Sequence, residues 1–353
     1  MGSKLPIWMG LVLLIPSCFS TSVKVGGRTW PNGVVKFHIH HGVPTVDRIE
    51  IQKAFDEFHS KTCVRFQHWQ FGDYNWVSIE RDNSVCGIAH TCQTGGYQYA
   101  RFGGHCGTKA QIIHVLGHSL CLGHEDLRAD RDANLRFGGC SRRPGRYMTN
   151  WYTARGIYDY ASQMHPTCNS CHHGSPTKLN VTKCGSDATP GLSVLDVDSI
   201  NSLYNCQGCH RHRWRPVELL TQQDRTNMIT GFQTTSGTPL YPCRAFLEGR
   251  IIAGRFDNAA NTCSFSHEGT HVHVETIGFE VLTIPGGISQ QCGNYRLVNH
   301  TTVDLSKAIP VGTVVDDYKM RSYIAFGDNS VGNAWVHDGA GFGHFAEMPV
   351  NVL

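Results

Sequence analysis

Three histidines have the spacing to hold one metal ion: His114, His118 and His124, in the stretch His114-Val-Leu-Gly-His118-Ser-Leu-Cys-Leu-Gly-His124. Residues four apart lie one turn from each other on the same helix face, so His114 and His118 can aim two imidazoles at one point. His124 follows six residues later, past Gly123. That is where a third ligand falls when a helix stops, turns and comes back. Three neutral imidazoles with a fourth position left open make a zinc site of the catalytic kind. Hydrolysis at such an ion also needs a carboxylate that takes a proton from the attacking water and returns it.

The elements that must position these side chains follow from the pattern around them. Residues 109–122 read as one buried helix, with Ile112, Ile113 and Leu116 as its apolar positions. Gly117 inside it costs about 1 kcal/mol relative to alanine. Residues 34–39 alternate as a strand after the turn Trp30-Pro31-Asn32-Gly33. Residues 45–60 read as an amphipathic helix with a stripe of Val46, Ile49, Ile51, Phe55 and Phe58. Short strands follow at 62–66 and 74–79, and a helix at 192–206.

These landmarks, in this order, resemble the astacin family of the metzincins. The histidine stretch resembles H-E-x-x-H-x-x-G-x-x-H, and Glu125, Arg128, Asp130, Arg131 and Asp132 resemble its continuation. The Trp30-Pro31 start, Thr62-Cys63-Val64-Arg65-Phe66 and the Ser162-Gln163-Met164-His165 turn resemble further family segments. The resemblance implies an α+β fold: a two-lobed domain over residues 24–206 with a zinc helix and a Met-turn. It implies Zn2+ on His114, His118 and His124, Met164 as the apolar floor beneath them, and disulfides Cys63–Cys206 and Cys86–Cys106. Glu125, Arg128 and the acidic residues after it become structural ion pairs behind the site.

Three departures matter. The position of the family's general base is Val115, and the Met-turn tyrosine that helps stabilise the transition state is Pro166. The glycine that ends the zinc helix is Cys121, so Gly123 is expected to take over the turn with the register slipped. A pairing of Cys92 with Cys121 would clip that altered turn.

Residues 207–216 read as a basic, His-rich linker. Beyond it, short strands and Gly-rich turns resemble the DM-nine repeat: Gly237-Thr-Pro-Leu-Tyr241-Pro-Cys243-Arg244-Ala245, Gly249 to Arg255, Cys263 and Phe279-Glu280-Val281-Leu282. A degraded second copy ends in Val350-Asn351-Val352-Leu353. Residues 217–353 are therefore expected to form a small, mostly-β domain of tandem repeats. Relatives of that family include lectins, so the resemblance implies a glycan ligand, with Arg244, Glu248 and Arg255 as candidate contacts.

Of 353 residues, 15 are cysteine, which points to an oxidising compartment. Residues 1–20 read as a signal peptide, with an apolar run at 5–15 too short to span a bilayer. Its removal takes Cys18 and leaves an even number of cysteines. The first strand follows so soon that no prosegment is expected. Asn180-Val-Thr and Asn299-His-Thr are N-glycosylation acceptors. A formal net charge of +3 gives no argument for nucleic acid. The chain is expected to be secreted and extracellular, without a membrane span. The expected function is zinc binding with impaired proteolysis, peptide or protein held in the zinc cleft, and a carbohydrate-binding module. The alternative is an active zinc metalloendopeptidase with a substituted base.

Overall fold

The computed structural model describes residues 21–136, most of 145–167, the pair 173–174, and 184–206 save 188–189. It then describes most of 212–283 and the segments 298–299, 309–313, 320–327, 330–337 and 351–352. The expected signal peptide, Asn180 and Glu248 lie outside the described residues.

The N-terminal lobe is a five-stranded sheet with two helices. Its strands are β1 (Val34–Ile39), β2 (Arg65–His68), β3 (Trp76–Arg81), β4 (Gly87–Ala89) and β5 (Tyr97–Phe102). They lie in the order β2-β1-β3-β5-β4. All neighbours are parallel except β4, which runs antiparallel to β5 at the edge. In β1 the alternation puts Val35 and Phe37 inside. Helix α1 (Thr45–Lys61) buries Ile51, Ala54, Phe55 and Phe58. Its apolar face is narrower than the sequence suggests: Val46 is 65% and Ile49 53% exposed. The buried face runs 47-51-54-55-58, so its N-terminal member is Asp47, whose carboxylate is paired by Arg81. Helix α2 (Lys109–Ser119) is the histidine helix, N-capped by the Thr108 side chain. Both helices and the sheet share one core.

The second lobe ends in α3 (Val194–Leu203), which starts with a capping box made by Ser193 and Asp196. The mostly-β region follows. One antiparallel sheet runs β6 (Arg213–Pro216), β11 (Phe279–Thr283), β7 (Pro239–Leu247), β8 (Arg250–Asp257), β9 (Thr262–His267), β10 (His271–Glu275). A smaller sheet holds β12 (Pro310–Thr313), β13 (Met320–Gly327) and β14 (Ser330–His337). Phe279 pairs with Ala245, and Val352 pairs with Ala325, so each closing segment lies along a long strand of its own sheet.

The expected linker differs at its C-terminal end, residues 207–211 lying outside the described residues. Residues 213–216 are strand β6, paired to β11, and Trp214 is buried. The reason is the core: Trp214, Phe246, Ile251 and Leu282 pack in one apolar cluster with Ile157, Tyr158, Tyr160 and Leu195 of the second lobe. The β region therefore packs directly on the lobe that carries the Met-turn.

Candidate metal centre

The three histidines converge. The His118 Nε2 lies 3.1 Å from the His124 Nε2, which lies 3.2 Å from the His114 Nε2. Ligands about 2.05 Å from a tetrahedral zinc stand roughly 3.3 Å apart, so the separations fit one ion. Two imidazole lone pairs facing each other at this distance repel, and a cation between them removes that cost. The other ring nitrogens are fixed by backbone. The Nδ1 of His114 donates to the Gln163 carbonyl at 2.7 Å, and that of His118 to the Leu122 carbonyl at 2.9 Å. A carbonyl can only accept, so the proton sits on Nδ1 and Nε2 is free for metal. Burial pushes the His114 imidazole down to about 4 and His118 and His124 below their usual range. All three are neutral at neutral pH, as ligation requires.

Helix α2 ends in a Schellman turn. The Leu122 N–H donates to the Gly117 carbonyl at 3.0 Å and the Cys121 N–H to the His118 carbonyl at 2.9 Å. The residue in the left-handed position is Cys121, at φ 78°. Gly123 does not take over the turn, because the hydrogen bonds keep the family register and the cysteine accepts the strained conformation. Cys92 and Cys121 are joined by a disulfide, as are Cys63–Cys206, Cys86–Cys106 and Cys243–Cys263.

Val115 is buried, one residue from His114 on the helix. A Cβ at Gly87 would stand 2.8 Å from its Cγ2, so the isopropyl group closes against edge strand β4. Met164 is buried and its sulfur sits under Gly117. The Met-turn is held by α3: the carboxylate of Asp196 accepts from the Ser162 hydroxyl at 2.6 Å and the Gln163 N–H at 2.9 Å. His165 Nδ1 donates to the Pro166 carbonyl, and its Nε2 accepts from the Tyr158 hydroxyl at 3.0 Å. Behind the centre, buried Glu125 pairs with Arg128 at 2.7 Å and accepts from the Ser22 N–H at 3.0 Å.

The glycan candidates do not form one exposed site. Arg244 is fully buried, which corrects its assignment as a contact. Its guanidinium bonds Glu280 at 2.8 Å, Asp198 of α3 at 2.9 Å and the Val311 carbonyl at 2.9 Å, over the Trp214 ring. Arg255 is half-buried on β8, opposite Ser264. Asn299 lies in a two-residue strand paired to Asn351. A cavity of ≈ 200 Å³ between the lobe and the β region is lined by Tyr158, Phe246, Glu218 and Glu280 among others.

The parts of the centre that are backbone leave no mark in the sequence. The Gln163 and Leu122 carbonyls carry no residue signature. Asp196 was legible only as a helix residue, although Ser193 with Asp196 spells a capping pair.

The fold and the three-histidine cluster are those of a zinc metalloprotease domain, with Val115 where the general base of such a site would stand. The chain belongs to the astacin family of peptidases, whose model matches residues 22–205, and the DM9 repeat matches residues 234–329. Similar curated proteins include zinc metalloproteinase nas-14 of Caenorhabditis elegans, 31% identical over 191 residues, covering 51% of this chain and 38% of that protein. Zinc metalloproteinase nas-13 of the same organism is 30% identical over 223 residues, covering 60% of this chain and 48% of that protein. The chain thus spans less than half the length of either relative. Among solved structures, high choriolytic enzyme 1, a hatching enzyme zinc-protease of the medaka fish Oryzias latipes, is 24% identical. It covers 58% of this chain and 100% of its own, with a TM-score of 0.44. Zn2+ is the family's metal, and the donor set here fits it. Among the described residues no helix is long and apolar enough to cross a membrane.

Proposed function

We propose that this chain is a secreted astacin-like protein that binds Zn2+ and peptide but is impaired in hydrolysing it. The observation that carries the reading is Val115, an alkyl side chain in the base position, packed against the edge strand. When bound by the three histidines, Zn2+ polarises a carbonyl and makes water more acidic. Val115 can take no proton from that water. Pro166, in the place of the Met-turn tyrosine, has no hydroxyl to offer a developing oxyanion. Loss of a general base alone costs about 10²–10⁴ in rate.

Peptide binding does not need either group. Strand β4 is an edge, and Gly87 and Ile88 are exposed, so an extended peptide can add to the sheet beside the histidines. The DM9 region supplies a second binding module, and its family resemblance favours a glycan. The test retains an unfolded protein on immobilised full-length chain with and without a chelator, and screens the same chain against a glycan array. Chelator-sensitive retention of intact protein supports the reading. Release of cleaved fragments contradicts it.

A further inference from the structure

The turn after α2 decides whether His124 can join the other two ligands. Were the helix to continue, a residue six positions beyond His118 would lie about 240° round the axis, pointing away from the ion. The left-handed residue at the turn prevents this, and such a residue is usually glycine because a Cβ there is strained. Here it is Cys121, at φ 78°, bonded to Cys92, which is itself left-handed at φ 68°.

The disulfide is built into its surroundings on every side. Both cysteines are buried. The Cys92 N–H donates to the His118 carbonyl at 2.9 Å, and the Cys92 carbonyl accepts from the buried Gln98 amide at 2.8 Å. The Cys121 carbonyl accepts from the Lys24 N–H at 3.0 Å. Gly27 crosses directly over the sulfurs, and a Cβ there would overlap that of Cys92. The bridge thus ties the turn to the β4–β5 connection and lies under the N-terminal segment, one ligand's carbonyl being held by its own backbone.

We propose that Cys92–Cys121 is a positioning device for the metal centre: the cross-link holds the left-handed turn that brings His124 to His114 and His118, the work a glycine does in the family signature. This rests on the zinc-binding reading above. Groups that orient metal ligands from behind typically contribute about 10–100-fold to affinity.

The test compares three full-length proteins by competition with a chromophoric zinc chelator, folding being checked by circular dichroism. In Cys92→Ala/Cys121→Ala the turn has a Cβ and no cross-link, and zinc affinity falls about 10–100-fold. In Cys92→Ala/Cys121→Gly the turn needs no cross-link, and affinity returns close to wild type. If the alanine pair fails to fold, a folded glycine pair with near wild-type affinity carries the same result. Wild-type affinity in the alanine pair overturns the proposal, and so does equal weakness in both pairs. Wild-type protein that takes up no zinc removes the zinc reading itself and the proposal with it.

Discussion

Met164 lies against the backbone of Gly117, where an added Cβ would stand 2.7 Å from its sulfur. The histidine helix and the Met-turn therefore touch with no side chain between them. The glycine that weakens α2 as a helix is what lets the floor of the centre approach.

Gly117→Ala weighs these two effects. Helix propensity improves by about 1 kcal/mol, while overpacking of a filled core costs about 1–3 kcal/mol. The variant melts a few degrees lower and binds zinc more weakly. Calorimetry with and without chelator reads both. A rise in melting temperature contradicts close contact at this point.

Val115→Glu puts a carboxylate beside the ion. Cleavage of unfolded protein should rise about 10²-fold over wild type and be lost on chelation. It stays below the rate of an intact family site because Pro166 offers no hydroxyl. Retained zinc with no gain in cleavage would locate the impairment elsewhere than residue 115.

Arg244 joins the β region to α3. Arg244→Met leaves the buried carboxylate of Glu280 and that of Asp198 without their cation, at a cost of about 3–5 kcal/mol. Denaturant unfolding measures the loss. Hydrogen exchange at the Ile157 amide, which donates to Glu280, should quicken. A variant of unchanged stability but altered glycan binding would restore Arg244 as a surface contact.

Asp159 and Asp196 are buried close together around Ser193, which donates to Asp159 at 2.5 Å and accepts from the Asp196 N–H at 2.9 Å. Burial, reinforced for Asp159 by its neighbour's charge, raises both carboxyls above their usual range. A raised carboxyl binds its proton more tightly folded than unfolded. Its contribution is therefore full below about pH 3.9 and is lost as pH rises through the folded value. The three buried imidazoles act in the opposite sense in chelated protein. The difference between wild type and Asp159→Asn isolates the carboxyl: the variant gains on wild type as pH rises from 5 to 8 in urea unfolding. A flat difference would show that Asp159 ionises freely.

The cluster of three histidines is legible because four-residue spacing on a helix is a geometric statement, whereas the base position is legible only through the family resemblance. Propensity points to Gly123 for the turn, whereas a disulfide and two Schellman hydrogen bonds hold Cys121 in that conformation. Arg244 looked like a surface cation because arginines usually are. Its burial depends on Glu280 and Asp198, 36 and 46 residues away, a pairing no local pattern displays. Trp214 likewise lies in a basic run that reads as a linker, and tertiary packing makes it core. Helical spacing puts Val46 and Ile49 on the apolar stripe of α1, but the buried face begins at Asp47, whose partner Arg81 comes from a strand far along the chain.

The most direct measurement is cleavage of an unfolded protein by purified, zinc-loaded full-length chain, with a chelator control. A full complement of zinc without chelator-sensitive cleavage above background is the expected result. Chelator-sensitive turnover at ordinary enzyme rates, about 1–10³ per second, would contradict it and show that another group performs the proton transfer that Val115 cannot.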